Sequence, residues 1–158
     1  MKKWISIILL VLTSFYVMGE TTWNFTEDNL DNSKAWLQVA SLDEKTGESS
    51  FIVMIGVGDS NKGTLSIMIL GNYVVYGTHA VQVMYKLDEG EVYPGFLVCS
   101  GNGNILAATG DQLTNFWNGV QHNSYLIIRV IGFNGSIYNY QFNLNEVRNA
   151  LREAGMNI

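Results

Sequence analysis

Three carboxylates and a lysine crowd one short stretch of this chain, with Lys86, Asp88, Glu89 and Glu91 falling within six consecutive positions. Neighbouring carboxylates are what a glycosidase uses to hold a proton beside a charge, and what a calcium site uses to surround a cation. Both readings fail on detail. A catalytic carboxyl needs an enclosing pocket that shifts its pKa, whereas a polar turn offers solvent. The spacing departs from the EF-hand loop, so no metal site is assigned. What is left is a charged turn that can present a docking surface, with Lys86 and Asp88 two residues apart on one side of a strand. Lys86, Asp88, Glu89 and Glu91 are therefore the candidate binding residues.

Nucleophilic chemistry has little to work with. Cys99 is the one cysteine, and His79 and His122 are the two histidines. A thiol–imidazole pair needs the two groups within reach, and no local signature accompanies them. A turn histidine and a core cysteine account for these residues. The serines lack the Gly-x-Ser-x-Gly elbow. Gly101-Asn102-Gly103-Asn104 is followed by neither a helix nor a lysine, so it reads as a turn rather than a phosphate cradle. The 8 tyrosines and 4 tryptophans invite a sugar-stacking platform, but aromatics at alternating strand positions are also what a β core and its rim use. No catalytic residue and no cofactor is assigned.

The charged turn sits between two strands. Val81, Val83, Tyr85 and Leu87 alternate with Gln82, Met84, Lys86 and Asp88, the period-2 pattern of a strand with one buried face. A second apolar run through Phe96, Leu97 and Val98 follows the turn, giving an antiparallel hairpin. Ahead of it, Ala35–Leu42, Phe51–Val57, Leu65–Leu70 and Tyr73–Tyr76 read as strands, with Phe51–Val57 apolar on both faces as a covered central strand would be. Glu20–Ser33 reads as a loose arm or a short edge strand pinned by Trp23, and Asp43–Ser49 as a connecting loop.

After the hairpin, Ile105–Ala108 is a short strand. Leu113, Phe116, Trp117 and Val120 then fall at i, i+3, i+4 and i+7, one face of a helix that Asp111 would cap and Gly119 would end. Tyr125–Phe133 and Ser136–Leu144 flank Asn134-Gly135, a short-hairpin signal because both residues tolerate positive φ. A last helix is capped by Asn143 or Asn145, places Leu144, Val147, Leu151 and Ala154 on one face, and ends at Gly155.

The chain's start has the layout of a secretory signal peptide over residues 1–19. Lys2 and Lys3 precede the apolar run Ile5–Val17, and Val17-Met18-Gly19 suits signal peptidase. An uncleaved anchor is the rival reading, although the apolar run is short for a membrane span. Residues 20–158 then form a single exported domain, not embedded in the membrane after cleavage. Without Lys2 and Lys3 the 9 basic residues fall to 7 against 14 acidic ones, a net charge of −7. That balance disfavours nucleic acid and anionic lipid, which need clustered Lys and Arg, and suits a basic protein partner. A lone cysteine excludes an intramolecular disulfide in an oxidising compartment. With Pro94 the one proline against 16 glycines, turns fall to Gly and Asn.

From Ala80 onward the order of features resembles the periplasmic TagO/VasI family associated with type VI secretion. Lys86-Leu87-Asp88 stands where that family has an Arg-Phe-Asp-like triplet, and Phe96 and Ser100 lie on the next strand where it has Trp and Ser. The helix with Phe116 and Trp117 and the strand Leu126–Val130 follow, and Phe142-Asn143-Leu144 stands for its late Phe-Asp-Leu. The resemblance covers the C-terminal half. Lys replaces Arg, Phe replaces Trp, and the family's terminal cysteine has no counterpart in Gly155-Met156-Asn157-Ile158. The chain also resembles the invasion-associated locus B family, whose exported β domains carry a cysteine pair that this chain lacks. Such strand-and-turn motifs imply a shared fold more than a shared role.

The expected fold is an antiparallel β-sandwich with a short connecting helix and a C-terminal helix. The expected function is that of a non-enzymatic periplasmic or secreted accessory protein that binds a protein or cell-wall partner. An inhibitor or immunity-like protein acting on an enzyme of the same compartment is the alternative, and a hydrolase with an unrecognised site is the third reading.

Overall fold

A computed structural model of the chain describes residues 21–28, 31–57, 64–71, 80–99, 103–132 and 134–158. The signal-peptide reading over 1–19, the strand Tyr73–Tyr76, His79, Ser100 and Gly101-Asn102 lie outside the described residues.

The elements run β1 (Thr21–Asp28), β2 (Asp31–Leu42), β3 (Ser50–Val57), β4 (Thr64–Leu70), β5 (Ala80–Leu87), β6 (Tyr93–Cys99), β7 (Ile105–Ala107), α1 (Gly110–His122), β8 (Tyr125–Ile131), β9 (Ile137–Asn143) and α2 (Leu144–Glu153). In place of two packed sheets, the strands form one nine-stranded sheet in the order β1-β2-β3-β4-β7-β6-β5-β8-β9. Neighbouring strands pair antiparallel throughout. The sheet curls until its far strand meets β2, giving a nearly closed, barrel-like wall. Asp43 and Phe142 form a β-bridge there. Glu44 N–H donates to Gln141 C=O at 3.0 Å, and Gln141 N–H donates to Asp43 Oδ1 at 2.8 Å. One edge of β2 thus serves two partners, since β1 pairs along Asp31–Val39 and β9 meets the residues just beyond its end. The N-terminal segment forms β1, the edge-strand reading of Glu20–Ser33.

Period-2 patterning places one side chain in two inside the wall. Val39, Phe51, Val53, Ile67, Ile69, Val81, Val83, Tyr85, Leu97, Cys99, Leu106, Leu126, Ile128, Val130 and Phe142 all turn inward into one core. Phe51, Ile52 and Val53 are all buried, as expected of a strand covered on both faces. The two helices help fill that core. Phe116 of α1 lies 6.2 Å from Phe51 on β3 and 5.1 Å from Tyr85 on β5, so one ring joins strands that are not neighbours in the sheet. Phe51 also packs 5.7 Å from Phe142 of β9, across the seam.

The helix ends differ from expectation in one case and match in the other. α1 starts after Thr109, whose side chain makes no capping bond, and Asp111 lies in its first turn. Gly119 does not end α1. It lies within the helix, where a Cβ would sit 2.7 Å from Leu87 Cδ2, so its role is close approach to β5. α2 is capped by Asn143, whose Oδ1 accepts from Asn145 N–H at 3.1 Å. At its other end Gly155 takes φ +89, and Gly155 and Met156 N–H donate to Arg152 and Leu151 C=O. That pair of bonds is the Schellman arrangement a left-handed glycine allows. Leu144, Val147, Ala150 and Leu151 are buried.

The Asn134-Gly135 turn is longer than two residues. Ile131 pairs with Ile137, Gly132 N–H donates to Ser136 C=O, and Gly135 takes φ +80. Asp88 is the single non-glycine residue with positive φ among the described residues. Asn134 therefore contributes its side chain instead, with Oδ1 accepting from Ser136 N–H at 3.0 Å. Pro94 is accommodated within β6 because β7 reaches only Val98 and Cys99, which leaves the stretch around Pro94 with a neighbour on one side.

Candidate functional site

The β5–β6 hairpin brings together most of the exposed chemistry, and its four sequence-derived candidates separate into two groups. Lys86 Nζ lies 3.2 Å from Glu89 Oε2, with Glu89 97 % exposed. Glu91 is exposed as well. These three form the charged tip. Asp88 does not join them, and it does not pair with Lys86. Its φ of 48° turns its carboxylate toward the junction of α1 and β8. Oδ1 accepts from Ser124 N–H at 2.9 Å and Tyr125 N–H at 2.8 Å, and Oδ2 accepts from the Asn123 side chain at 3.3 Å. Asp88 N–H donates to Tyr125 C=O at 3.1 Å.

Burial alone would push the Asp88 carboxyl up. The bonds from Tyr125, Asn123 and Ser124 and the nearby Arg148 charge outweigh it and hold the group below its ordinary value. Arg148, from α2, completes the junction by donating to Val120 and Asn123 C=O, each at 3.0 Å. These carbonyls end α1 and would otherwise lack partners. Asp88 is thus a latch between the hairpin and the helix.

Cys99 is fully buried, and burial pushes its thiol up. A raised thiol is a poor nucleophile at neutral pH. Groups of three or more metal-ligating side chains are absent among the described residues.

The outer face of the hairpin carries side chains that sequence reasoning did not single out as a site. The register sets Pro94, Met84, Arg129 and Asn139 in one row and Lys86, Ile127 and Gln141 in the next. Met84, Lys86, Val92, Ile127, Arg129 and Asn139 line a groove of about 340 Å³. Arg129 Nε donates to Asn139 Oδ1 at 2.9 Å, which holds the guanidinium along the groove. Phe96 is 60 % exposed, and Val92, Met84 and Val98 are exposed beside it. An apolar residue at the outward position of an alternating strand was the available signal, and Met84, Phe96 and Val98 all carry it. Arg129 could not be placed beside Met84 without the pairing of β5 with β8.

A second recess, also about 340 Å³, opens on the opposite side of the same hairpin, where Tyr85, Leu87 and Tyr93 face Asn115 and Asn118 of α1. Asn115 Nδ2 donates to the Tyr85 hydroxyl at 3.1 Å.

One solved structure is similar in its fold. It is invasion associated protein B from Bartonella henselae, with a TM-score of 0.47 and 17 % sequence identity over 87 % of this chain and 92 % of that one. No model of a known protein family matches the sequence, and no curated protein matches it.

Proposed function

We propose that this chain is a non-enzymatic, exported accessory protein that binds a protein partner through the outer face of β5, β6 and β8. The observation that carries the reading is the row of outward apolar side chains Met84, Val92, Phe96 and Val98. Water contact with such a row is unfavourable by about 25 cal/mol per Å² of apolar surface, and a partner removes it. The surrounding Lys86, Glu89, Glu91 and Arg129 supply the polar rim that interfaces of this kind carry. Glu89 and Glu91 protrude furthest in charge and suit a basic partner, where they would act on association rate more than on final affinity. Export rests on the Lys2-Lys3 start and the apolar run behind it. The accessory role rests on the resemblance of the C-terminal half to the type VI secretion-associated family. The core of the wall is filled by apolar side chains, which leaves the outside for recognition.

The test uses the purified protein and whatever envelope protein it retains. Phe96→Asp should weaken that complex by about thirtyfold, the scale of an interface hot spot, with the melting temperature unchanged. Glu89→Gln with Glu91→Gln should slow association and flatten its salt dependence. Unchanged affinity in Phe96→Asp would move the interface off this face.

A further inference from the structure

The recess between α1 and the inner side of the hairpin has a lining unlike either the core or the outer groove. Tyr93 shares the inward parity of Leu97 and Cys99, yet it lies past the end of the covered wall and is 48 % exposed. Its ring packs 5.9 Å from Tyr85, which fixes it as a platform rather than a free arm. Across from it, α1 presents two carboxamides three residues apart, Asn115 and Asn118. The Asn118 side chain makes no hydrogen bond among the described residues. Gln112, one turn before Asn115 and outside the lining, packs its carboxamide against β6 at Gly95, where a Cβ would come within 2.6 Å of Oε1. Amides on an exposed helix face contribute little to packing, and the two that line the recess leave donors and acceptors for a ligand's hydroxyls.

The lining contains Tyr85, Leu87, Tyr93, Asn115 and Asn118, with neither a carboxylate nor a cation. A charged ligand entering it would lose hydration and find no opposite charge. An uncharged ligand with one flat C–H face and a rim of hydroxyls finds a match for each part. The aromatic face attracts polarised C–H groups. Each carboxamide offers two donors and an acceptor in one plane, and the Tyr85 hydroxyl, which already accepts from Asn115, has a proton left to donate. A volume of about 340 Å³ lies at the small end of ligand sites, which span about 300–1,000 Å³. We infer that the recess formed by Tyr93, Tyr85, Asn115 and Asn118 is a subsite for a neutral sugar ring. It opens on the other side of the hairpin from the outer groove, and Tyr85 is the one lining residue the two share.

The experiment titrates the ¹⁵N-labelled purified protein with an N-acetylglucosamine trisaccharide, and separately with a glucose trisaccharide and a galacturonate trisaccharide. At least one neutral sugar should shift the side-chain amide resonances of Asn115 and Asn118 in a saturable way. The galacturonate sugar should leave them in place. Tyr93→Ala should weaken binding about tenfold, Tyr93→Phe should keep most of it, and Phe96→Asp on the outer face should leave it unchanged. Which neutral sugar binds decides whether the acetamido group is read. The inference is overturned if neither neutral sugar moves those resonances at about 20 mM, well above the 1 mM dissociation constant that about −4 kcal/mol gives. Shifts that persist undiminished in a folded Tyr93→Ala protein overturn it equally, since the platform would then play no part.

Discussion

Asp43 and Asp88 each follow the end of a strand, and each gathers backbone N–H groups onto its carboxylate. Asp43 accepts from Gln141 N–H at 2.8 Å, Thr46 N–H and Thr46 Oγ1 at 2.8 Å each, and Lys45 N–H at 3.3 Å. Asp88 accepts from Ser124, Tyr125 and Asn123. Both carboxyls lie below their ordinary values, because these bonds outweigh the upward push of burial. The difference lies in what each one joins. Asp43 is buried and ties β2 to a residue 98 positions later, across the seam that closes the sheet. Asp88 is half-exposed and ties a hairpin tip to the start of β8, where β5 and β8 are already paired. The same chemistry therefore holds the whole wall in one place and aims a local element in the other.

That contrast sets the order of expected effects. Asp43→Ala removes a buried carboxylate shared by several donors, Gln141 N–H across the seam among them, and at about 1–3 kcal/mol for a buried hydrogen-bonding group lost it should lower stability in urea by about 3 kcal/mol. Asp88→Ala should cost about half as much by the same reasoning, because Asp88 is itself half-exposed and water can take the place of its carboxylate. Its larger effect should appear in hydrogen exchange, with the Ser124 and Tyr125 amides losing protection while those of β3 and β4 keep theirs. If Asp88→Ala unfolds the protein as readily as Asp43→Ala, the distinction between seam and latch fails.

Acid sharpens the same comparison. A carboxyl with a lowered folded pKa adds stability above its unfolded value, here 3.8, and that contribution is lost as pH falls through the folded value. The stability difference between the native protein and Asp43→Ala should stay flat from neutral pH down to about pH 5 and shrink below 3.8. A gap that persisted at pH 2 would assign the role of Asp43 to shape rather than charge.

The smallest effect belongs to Glu146, near the seam in the first turn of α2. Burial and the Glu44 charge push this carboxyl above its usual 4.5, more than the Ser41 hydroxyl draws it down. The sign is opposite to that of the aspartates. The charged form is disfavoured in the fold, so a small penalty appears as pH rises through 4.5 and persists at neutrality. Glu146→Gln keeps an oxygen for the Asn143 side-chain amide, which lies 3.4 Å from Glu146 Oε1. It should raise the melting temperature slightly at pH 7 and leave it unchanged at pH 4. A lower melting temperature at pH 7 would mean that helix-dipole stabilisation by the charge dominates instead.

Local patterns made much of this fold legible. The alternation of Val81, Val83 and Tyr85 predicts which side chains of β5 are buried, and Gly155 predicts how α2 ends. Alternation assigns faces, however, and not the sequence of neighbours, so the same strands read equally well as two packed sheets or as one curled sheet. Closure depends on Asp43 meeting Gln141, and nothing near Asp43 distinguishes it from an ordinary loop residue. Asp88 was hidden for a related reason, because its partners are backbone amides 36 and 37 residues away. Gly119 was misread as a helix end because its requirement for small size comes from Leu87, on another element. Among the candidate site residues, the exposure of Glu89 and Glu91 followed from their turn. The groove beside Lys86 did not, since it needs the β5–β8 register to bring Arg129 alongside.

The divided edge of β2 has a consequence for how the chain is made. Synthesis delivers β1 and β2 together and β9 nearly last, so the stretch of β2 that pairs with β1 is satisfied at once. The seam at Asp43 and Glu44 must wait for Gln141 and spans most of the polypeptide, a contact of high sequence separation and slow formation. During that interval the C-terminal end of β2 is an open edge able to pair with another nascent chain. Asp43, Glu44 and the nearby Lys45 keep that end charged until its partner arrives. Concentration-dependent loss on refolding should therefore be most severe in variants that delay the seam, even when their final stability is restored elsewhere in the wall.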